Sequence, residues 1–254
     1  MTAAAARRML GLAGGSVEVL ELPGGAPPLV LLHEGLGSVG LWRDFPERLQ
    51  SLTGRRLIAF SRFGHGRSDP PARPRTPAFF HEEALDVLPE LLQALDVARP
   101  VLVGHSDGAS IAIIHAAAHP VAGLVLLAPH VFVEEVTVAA IRETRASYLD
   151  GDLRSRMARH HDDPDAAFHG WCDVWLDPSF ATWSLDEETR RLTASALLIQ
   201  GADDPYGSLA QIDRIEALAG GTCERLVLPG AHSPHLEHPA TVTAAVADCL
   251  PRFV

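Results

Sequence analysis

Cysteine is nearly missing from this chain, occurring three times in 254 residues, at Cys172, Cys223 and Cys249. An odd number at wide spacing fits neither a disulfide framework nor a zinc pattern, so reduced, partly buried thiols in a cytoplasmic protein are expected. Long apolar runs are missing too. No stretch approaches the roughly 20 residues of a membrane-crossing helix. In "RRMLGLAGGSVEV", Glu18 interrupts the apolar run too early for a secretory signal. Positive charge is scarce: 21 Lys and Arg against 32 Asp and Glu leave a formal charge of −11. That balance speaks against nucleic acid or an anionic membrane as partner and mainly keeps the protein soluble. Internal repeats are absent, and the alanine run at 3–6 is the only low-complexity stretch. What is present is apolar: 47% hydrophobic against 21% charged residues, enough to bury one large core and to exclude disorder.

Short apolar runs recur along the chain as "SVEVLEL" (16–22), "LVLLH" (29–33), "RLIAF" (56–60), "VLVGH" (101–105), "GLVLLA" (123–128), "ALLIQG" (196–201) and "ERLVLPG" (224–230). Helical patterns separate them: "GLWRDFPERLQSL" with Pro46 in an early turn, about 80–96, from the serine at 106 to about 119, 208–219 and 239–250. Strands that mostly lack alternation, separated by helices, predict a mostly parallel central sheet with helices on both faces, an α/β fold. Residues 134–185 break this rhythm, with helical stretches and no apolar strand. They read as a helical cap inserted into a core formed by 1–133 and 186–254. Open α/β sheets bind ligands at the carboxyl ends of their strands, where such an insertion acts as a lid.

The chemistry concentrates in Gly104-His105-Ser106-Asp107-Gly108, a G-x-S-x-G sequence where a strand turns into a helix. Bulky residues at 104 and 108 would collide with the adjacent chain. The tight bend projects the Ser106 hydroxyl, and the helix N-terminus adds free N–H groups and a positive dipole end. A serine needs a base and a group that orients the base. "LPGAHSPHLEHP" offers His232, His235 and His238 after the last strand. His232 is nearest the strand end, His235 is expected to begin a helix, and His238 is expected in solvent. "QGADDP" supplies Asp203 and Asp204 after the preceding strand, in the Ser…Asp…His order of this architecture.

Taken in order, "LVLLHEGLGS", "SRFGHGRSD", "GHSDG", "QGADDP" and "PGAHSPHLEHP" resemble the α/β-hydrolase superfamily over the whole chain. The resemblance implies a serine hydrolase with Ser106 as nucleophile, and it selects Asp204 as the acid and His232 as the base. It also implies an oxyanion hole built from the backbone N–H of Asp107 and one N–H of the loop after the third strand. The family commonly has His-Gly there. This chain has His33-Glu34-Gly35-Leu36-Gly37-Ser38, which leaves Gly35 and Leu36 as alternative donors. The family's D-x-x-G-x-G-x-S loop begins here with Ser61 and is expected to be structural.

Other features are weighed against plainer roles. Adjacent histidines in "RHHDDPD" (159–165) match no standard zinc spacing, so a solvated cap turn is expected and no metal. "GLGSVG" lacks the Gly-Lys-Ser/Thr ending of a phosphate loop. His65 and His105 are expected to be hydrogen-bonded structural residues. Trp171, Trp175 and Trp183, with Phe168, are candidates for the pocket roof. Trp171 and Trp175 share a helix face and, with Glu34, are the expected substrate contacts.

Glu34, Asp107 and the acids at 162–165 predict a small-molecule ester that is neutral or cationic near its carbonyl. The cap arginines Arg142, Arg145, Arg154, Arg156 and Arg159 are the counterweight. The expected reaction is hydrolysis of a carboxylic ester or lactone without a cofactor. The alternatives are hydrolysis of a carbon–carbon bond or an enol-lactone, and a catalytically silent fold that only binds a ligand.

Overall fold

All seven apolar runs are strands, and an eighth precedes them. The computed structural model describes residues 6–253, so the first three alanines of the run at 3–6 lie outside the described residues. The strands are β1 Ala6–Leu12, β2 Gly15–Leu22, β3 Gly25–Leu32, β4 Arg55–Phe60, β5 Val101–His105, β6 Gly123–Leu127, β7 Ala196–Gly201 and β8 Cys223–Leu228. They form one sheet in the order β1-β2-β4-β3-β5-β6-β7-β8. From β4 to β8 every neighbouring pair is parallel, while β1 and β2 pair antiparallel at one edge. β1 escaped the sequence reading because an edge strand with little burial carries arginines where a core strand carries apolar residues.

The helices are α1 Phe45–Thr53, α2 Phe79–Glu82, α3 Leu88–Ala94, α4 Asp107–Ala116, α5 Glu135–Asp150, α6 Leu153–Met157, α7 Pro164–Trp175, α8 Asp186–Arg190, α9 Ala210–Leu218, α10 Pro234–Glu237 and α11 Pro239–Cys249. The predicted helix over 40–52 is two pieces, a 3₁₀ turn at Val39–Trp42 and α1 with Pro46 in its first turn. The predicted helix over 80–96 is interrupted by a π-helical segment at Glu83–Val87 between α2 and α3. The helix after Ser106 ends at Ala116, short of 119.

The absence of alternation in the central strands has a simple origin: both faces are covered. Val30, Leu32, Ile58, Phe60, Leu102, Leu124, Leu126 and Leu198 pack in the core shared with α2, α3 and α4. Their sequence neighbours Leu29, Leu31, Leu57, Ala59, Val101, Val103, Val125 and Leu197 join the second core, with α1 and α11. Successive side chains on a strand point to opposite faces, so a strand covered twice is apolar at every position. Between β6 and β7 lie α5, α6, α7, a 3₁₀ turn at Pro178–Thr182 and α8. Residues of α5 and α7, among them Ile141, Phe168, Trp171 and Trp175, belong to the first core, so this segment packs on the sheet's helical layer. Among the described residues no helix is long and apolar enough to cross a membrane.

Glu18 has a structural role that its sequence context hides. Its side chain on β2 is 4% exposed and organises the loop after β4. Ser61 Oγ donates to Glu18 Oε2 at 2.8 Å, and the Arg67 N–H donates to the same oxygen at 3.2 Å. Ser61 Oγ also accepts the Val39 N–H at 2.9 Å. The serine that begins the 61–69 loop is thus a hydrogen-bonded strut. Removing a buried acceptor strands its donors, at about 1–3 kcal/mol. Glu18→Ala is therefore expected to lower unfolding free energy by about 2–3 kcal/mol in urea denaturation, with Glu18→Gln losing less.

Candidate active site

Ser106 sits at φ +54° and ψ −119°, a conformation that strains any residue with a Cβ. Close packing holds it there. A Cβ on Gly104 would lie 2.4 Å from the Gly108 carbonyl oxygen, and one on Gly108 would lie 2.0 Å from that of Leu32. Both obstacles are backbone, so the bend requires glycine on each side. The Ser106 N–H donates to Leu127 O at 2.9 Å, tying the bend to β6. Its hydroxyl, at the mouth of α4, meets a histidine from 126 residues further on: Ser106 Oγ lies 2.9 Å from His232 Nε2. His232 Nδ1–H donates to Asp204 Oδ2 at 2.7 Å.

Asp204 is held in turn by Gln200 Nε2 at 2.7 Å and by the Tyr206 N–H at 2.8 Å. Burial opposes its ionisation, but the hydrogen bonds and the charge of His232 outweigh it and keep the carboxyl below its usual range. Asp203, its neighbour in sequence, is exposed and does not meet the histidine. The loops carrying Asp204 and His232 also touch directly: a Cβ on Gly201, the last residue of β7, would lie 2.0 Å from the Ala231 oxygen. Tyr206 lies over the histidine with ring centroids 4.8 Å apart, and its OH pairs with Thr144 Oγ1 of α5 at 2.7 Å.

The loop after β3 is fixed by its carbonyls. His33 O accepts Arg62 Nη1 at 2.5 Å, and Glu34 O accepts Arg62 Nη2 at 3.0 Å and His33 Nδ1–H at 2.7 Å. Gly35 O accepts His65 Nε2–H, and Leu36 O accepts His161 Nε2–H, each at 2.9 Å. The Gly37 N–H closes a turn onto Glu34 O at 3.0 Å. The N–H groups of Gly35, Leu36 and Asp107 make no hydrogen bond among the described residues. They are the candidate oxyanion donors.

A cavity of ≈350 Å³ opens beside Ser106. Its lining includes Glu34, Gly35, Leu36, Asp107, His130, Trp171, Trp175 and Tyr206. Trp171 roofs the loop so closely that a Cβ on Gly35 would lie 2.2 Å from the indole. Trp175 Nε1–H donates to Asp107 Oδ1 at 3.1 Å. Trp183 and Phe168 lie elsewhere. Trp183 packs in a cluster with Phe80 and Phe180, and Phe168 stacks on Tyr148.

Two further expectations are corrected. His161 is not part of a solvated turn: it is 4% exposed and accepts the Gly66 N–H at Nδ1, 3.0 Å away. His238 is not free in solvent but donates to Pro229 O at 2.6 Å. His235 does lie in α10, where it is buried with its ring 4.8 Å from that of His105. His105 Nε2–H donates to His232 O at 2.7 Å, so both His65 and His105 hold backbone. His105 Nδ1 faces Glu34 Oε2 at 3.6 Å. Burial opposes the charge on Glu34, yet the His105 ring beside it holds its carboxyl down at about 2.

A family model described as alpha/beta hydrolase fold matches residues 27–194. The chain belongs to the α/β-hydrolase family. It is similar to serine hydrolase BPHL of Mus musculus, 29% identical over 242 residues that cover 89% of this chain and 80% of that protein. It is also similar to 2-succinyl-6-hydroxy-2,4-cyclohexadiene-1-carboxylate synthase of Enterobacter sp. (strain 638), 27% identical over 259 residues, with 89% and 92% covered. The solved enol-lactonase from Burkholderia xenovorans LB400 shares the fold, with a TM-score of 0.76 and 21% identity over 96% of this chain and 100% of that one.

In this α/β hydrolase the residues that sequence reasoning missed include His130 and Tyr206, which line the cavity, and Arg62 and His161, which hold the loop after β3 through its carbonyls. Arg62 sits in the "SRFGHGRSD" loop and Tyr206 two residues past Asp204, while His161 reaches the loop after β3 only through the fold. His161 carried one local signal, a histidine in a turn of acids, and that signal pointed outward.

Gly35→Ala drives a Cβ into Trp171, so a shifted tryptophan fluorescence spectrum and a stability loss of about 1–3 kcal/mol are expected. Burial pushes the Asp107 carboxyl up to about 6, against the opposing pull of Arg62, the Trp175 N–H and Arg75. The folded protein therefore keeps a proton that the unfolded chain releases near 3.8. Stability from this group is full below that value and declines as pH rises to about 6, by about 3 kcal/mol at most. Denaturation across that window should show a flatter slope in Asp107→Asn than in the parent.

Proposed function

We propose that this α/β hydrolase is a serine esterase that cleaves a carboxylic ester or lactone through an acyl-enzyme on Ser106. The observation that carries this reading is the unbroken hydrogen-bonded line from Ser106 Oγ through the His232 ring to Asp204, at 2.9 and 2.7 Å. His232 Nε2 takes the hydroxyl proton as Oγ attacks the carbonyl carbon. The tetrahedral oxyanion meets the N–H of Asp107 and one from the Gly35–Leu36 turn. His232 then passes its proton to the leaving alcohol. Water attacks the acyl-enzyme with His232 again as base, and Asp204 stabilises the imidazolium in both halves. Each oxyanion donor is worth on the order of 2.7–4 kcal/mol of barrier.

Residues 134–185 act as a cap, with Trp171 and Trp175 as the roof against which substrate packs. Glu34 lines the cavity as a carboxylate. Of the five cap arginines only Arg156 lines it, with its side chain 60% exposed and turned to Asp152 at 3.7 Å. A substrate carboxylate about 4 Å from Glu34 would cost roughly 1–4 kcal/mol. The ester is therefore neutral or cationic near its carbonyl. Three free cysteines and the negative net charge fit a cytoplasmic enzyme acting on a small molecule, without nucleic acid, membrane or cofactor.

The assigned roles make two measurements decisive. A fluorophosphonate probe should label the parent protein, and Ser106→Ala should abolish labelling and lower kcat by roughly 10⁴–10⁶-fold. A protein that neither labels nor turns over an ester and lactone panel would instead be a silent binder. In a matched pair of aryl esters, the neutral one should turn over faster than one bearing an acyl-side carboxylate. Equal rates would sink the charge argument.

A further inference from the structure

His65 sits in the "SRFGHGRSD" loop, 1% exposed and outside the cavity lining. Its Nε2 lies 2.9 Å from Gly35 O. Nδ1 has two weaker neighbours, Phe63 O at 3.2 Å and Arg75 Nη2 at 3.4 Å, so the shorter contact with Gly35 O, which can only accept, assigns the single ring proton to Nε2. Burial, then the charges of Arg75 and Arg62, push this imidazole well below its usual range, so it stays neutral with one N–H.

The peptide it grips is special. Glu34 to Gly37 form a hydrogen-bonded turn, and Gly35–Leu36 is its central peptide. Neither residue has a positive φ. Rotating the central peptide by half a turn gives the alternative turn type, with positive φ at the residue occupied by Leu36. In a planar trans peptide the carbonyl of one residue and the N–H of the next point in opposite directions. A Gly35 carbonyl held on the buried side by His65 therefore sends the Leu36 N–H toward the cavity that both residues line. The preceding peptide has its own restraints, since Glu34 O accepts from His33, Arg62 and Gly37. Loss of His65 therefore frees the Gly35 carbonyl while the hydrogen bonds to Glu34 O remain available.

We infer that His65 is a positioning residue that locks the central peptide of the Glu34–Gly37 turn and aims the Leu36 N–H at the oxyanion, making Leu36 the loop's donor. The inference rests on the proposed acyl-enzyme chemistry.

Replacing the histidine by its two amides separates positioning from mere structural support. The glutamine side-chain nitrogen takes the place of Nε2, whereas asparagine reaches only the place of Nδ1. His65→Gln is expected to keep kcat within about threefold. His65→Asn and His65→Ala are expected to lose roughly 10–100-fold in kcat with KM within about threefold, since deleting an oxyanion donor outright costs about 10²–10³-fold. Affinity for a trifluoromethyl ketone, which presents an oxyanion once Ser106 adds to it, should weaken in step with kcat. Asparagine and glutamine variants of equal activity, or a KM effect without a kcat effect, would overturn the inference. Should the asparagine and alanine variants not fold, the parent protein still decides. On binding the ketone the Leu36 amide proton should move strongly downfield in its NMR spectrum, and a shift at Gly35 with none at Leu36 overturns the assignment. Absence of fluorophosphonate labelling in the parent is a different result, and it refutes the acyl-enzyme reading itself.

Discussion

Everything at the carboxyl edge of the sheet depends on how closely the bend at Ser106 approaches the end of β3. Gly108 sits on the Leu32 carbonyl and Gly104 on the backbone of α4's first turn, at separations no side chain tolerates. That proximity forces the positive φ at Ser106 and puts the α4 N-terminus beside the loop that starts at His33. Candidate nucleophile and candidate oxyanion donors are therefore set by one contact between backbones. Relaxing it would displace them together.

Around this contact the molecule spends buried charge on rigidity. Arg62 is wholly buried, yet its guanidinium serves the carbonyls of His33 and Glu34. Arg75 and Glu83 pair beside it at 3.2 Å. Asp107 completes the group, sealed under Trp175 with one oxygen lacking a partner among the described residues. Burying such groups costs stability unless each finds a partner. What is gained is a loop whose four successive carbonyls, from His33 to Leu36, are all engaged. The segment between β6 and β7 takes part in this as well. Trp171 covers Gly35, His161 binds Leu36 O and Trp175 binds Asp107, so each residue with a candidate donor N–H is touched from the same segment.

Much of this was legible in the sequence, for identifiable reasons. The central strands declared themselves because burial on two faces removes polar residues, and the bend declared itself because only glycine fits at 104 and 108. Strand order put a serine, an aspartate pair and a cluster of histidines at the ends of successive strands, and the resemblance to the family then selected Asp204 and His232 among them. β1 was hidden, since an exposed edge needs no apolar signature. His161 was hidden for another reason: its partners are backbone atoms of residues 36 and 66, and a backbone carbonyl leaves no mark on the sequence. Arg62 and Glu18 look like ordinary surface charges until the fold encloses them. Side chains that serve backbone are the hardest class to read from sequence.

The glycine ending β7 has a consequence for how such proteins can be recombined. Because Gly201 lies directly beneath Ala231, the turn bearing the acid and the turn bearing the imidazole rest on one another like stacked plates. Neither can be exchanged with a homologue's version while its counterpart stays behind. Grafts in this part of the molecule must carry the two turns as a pair.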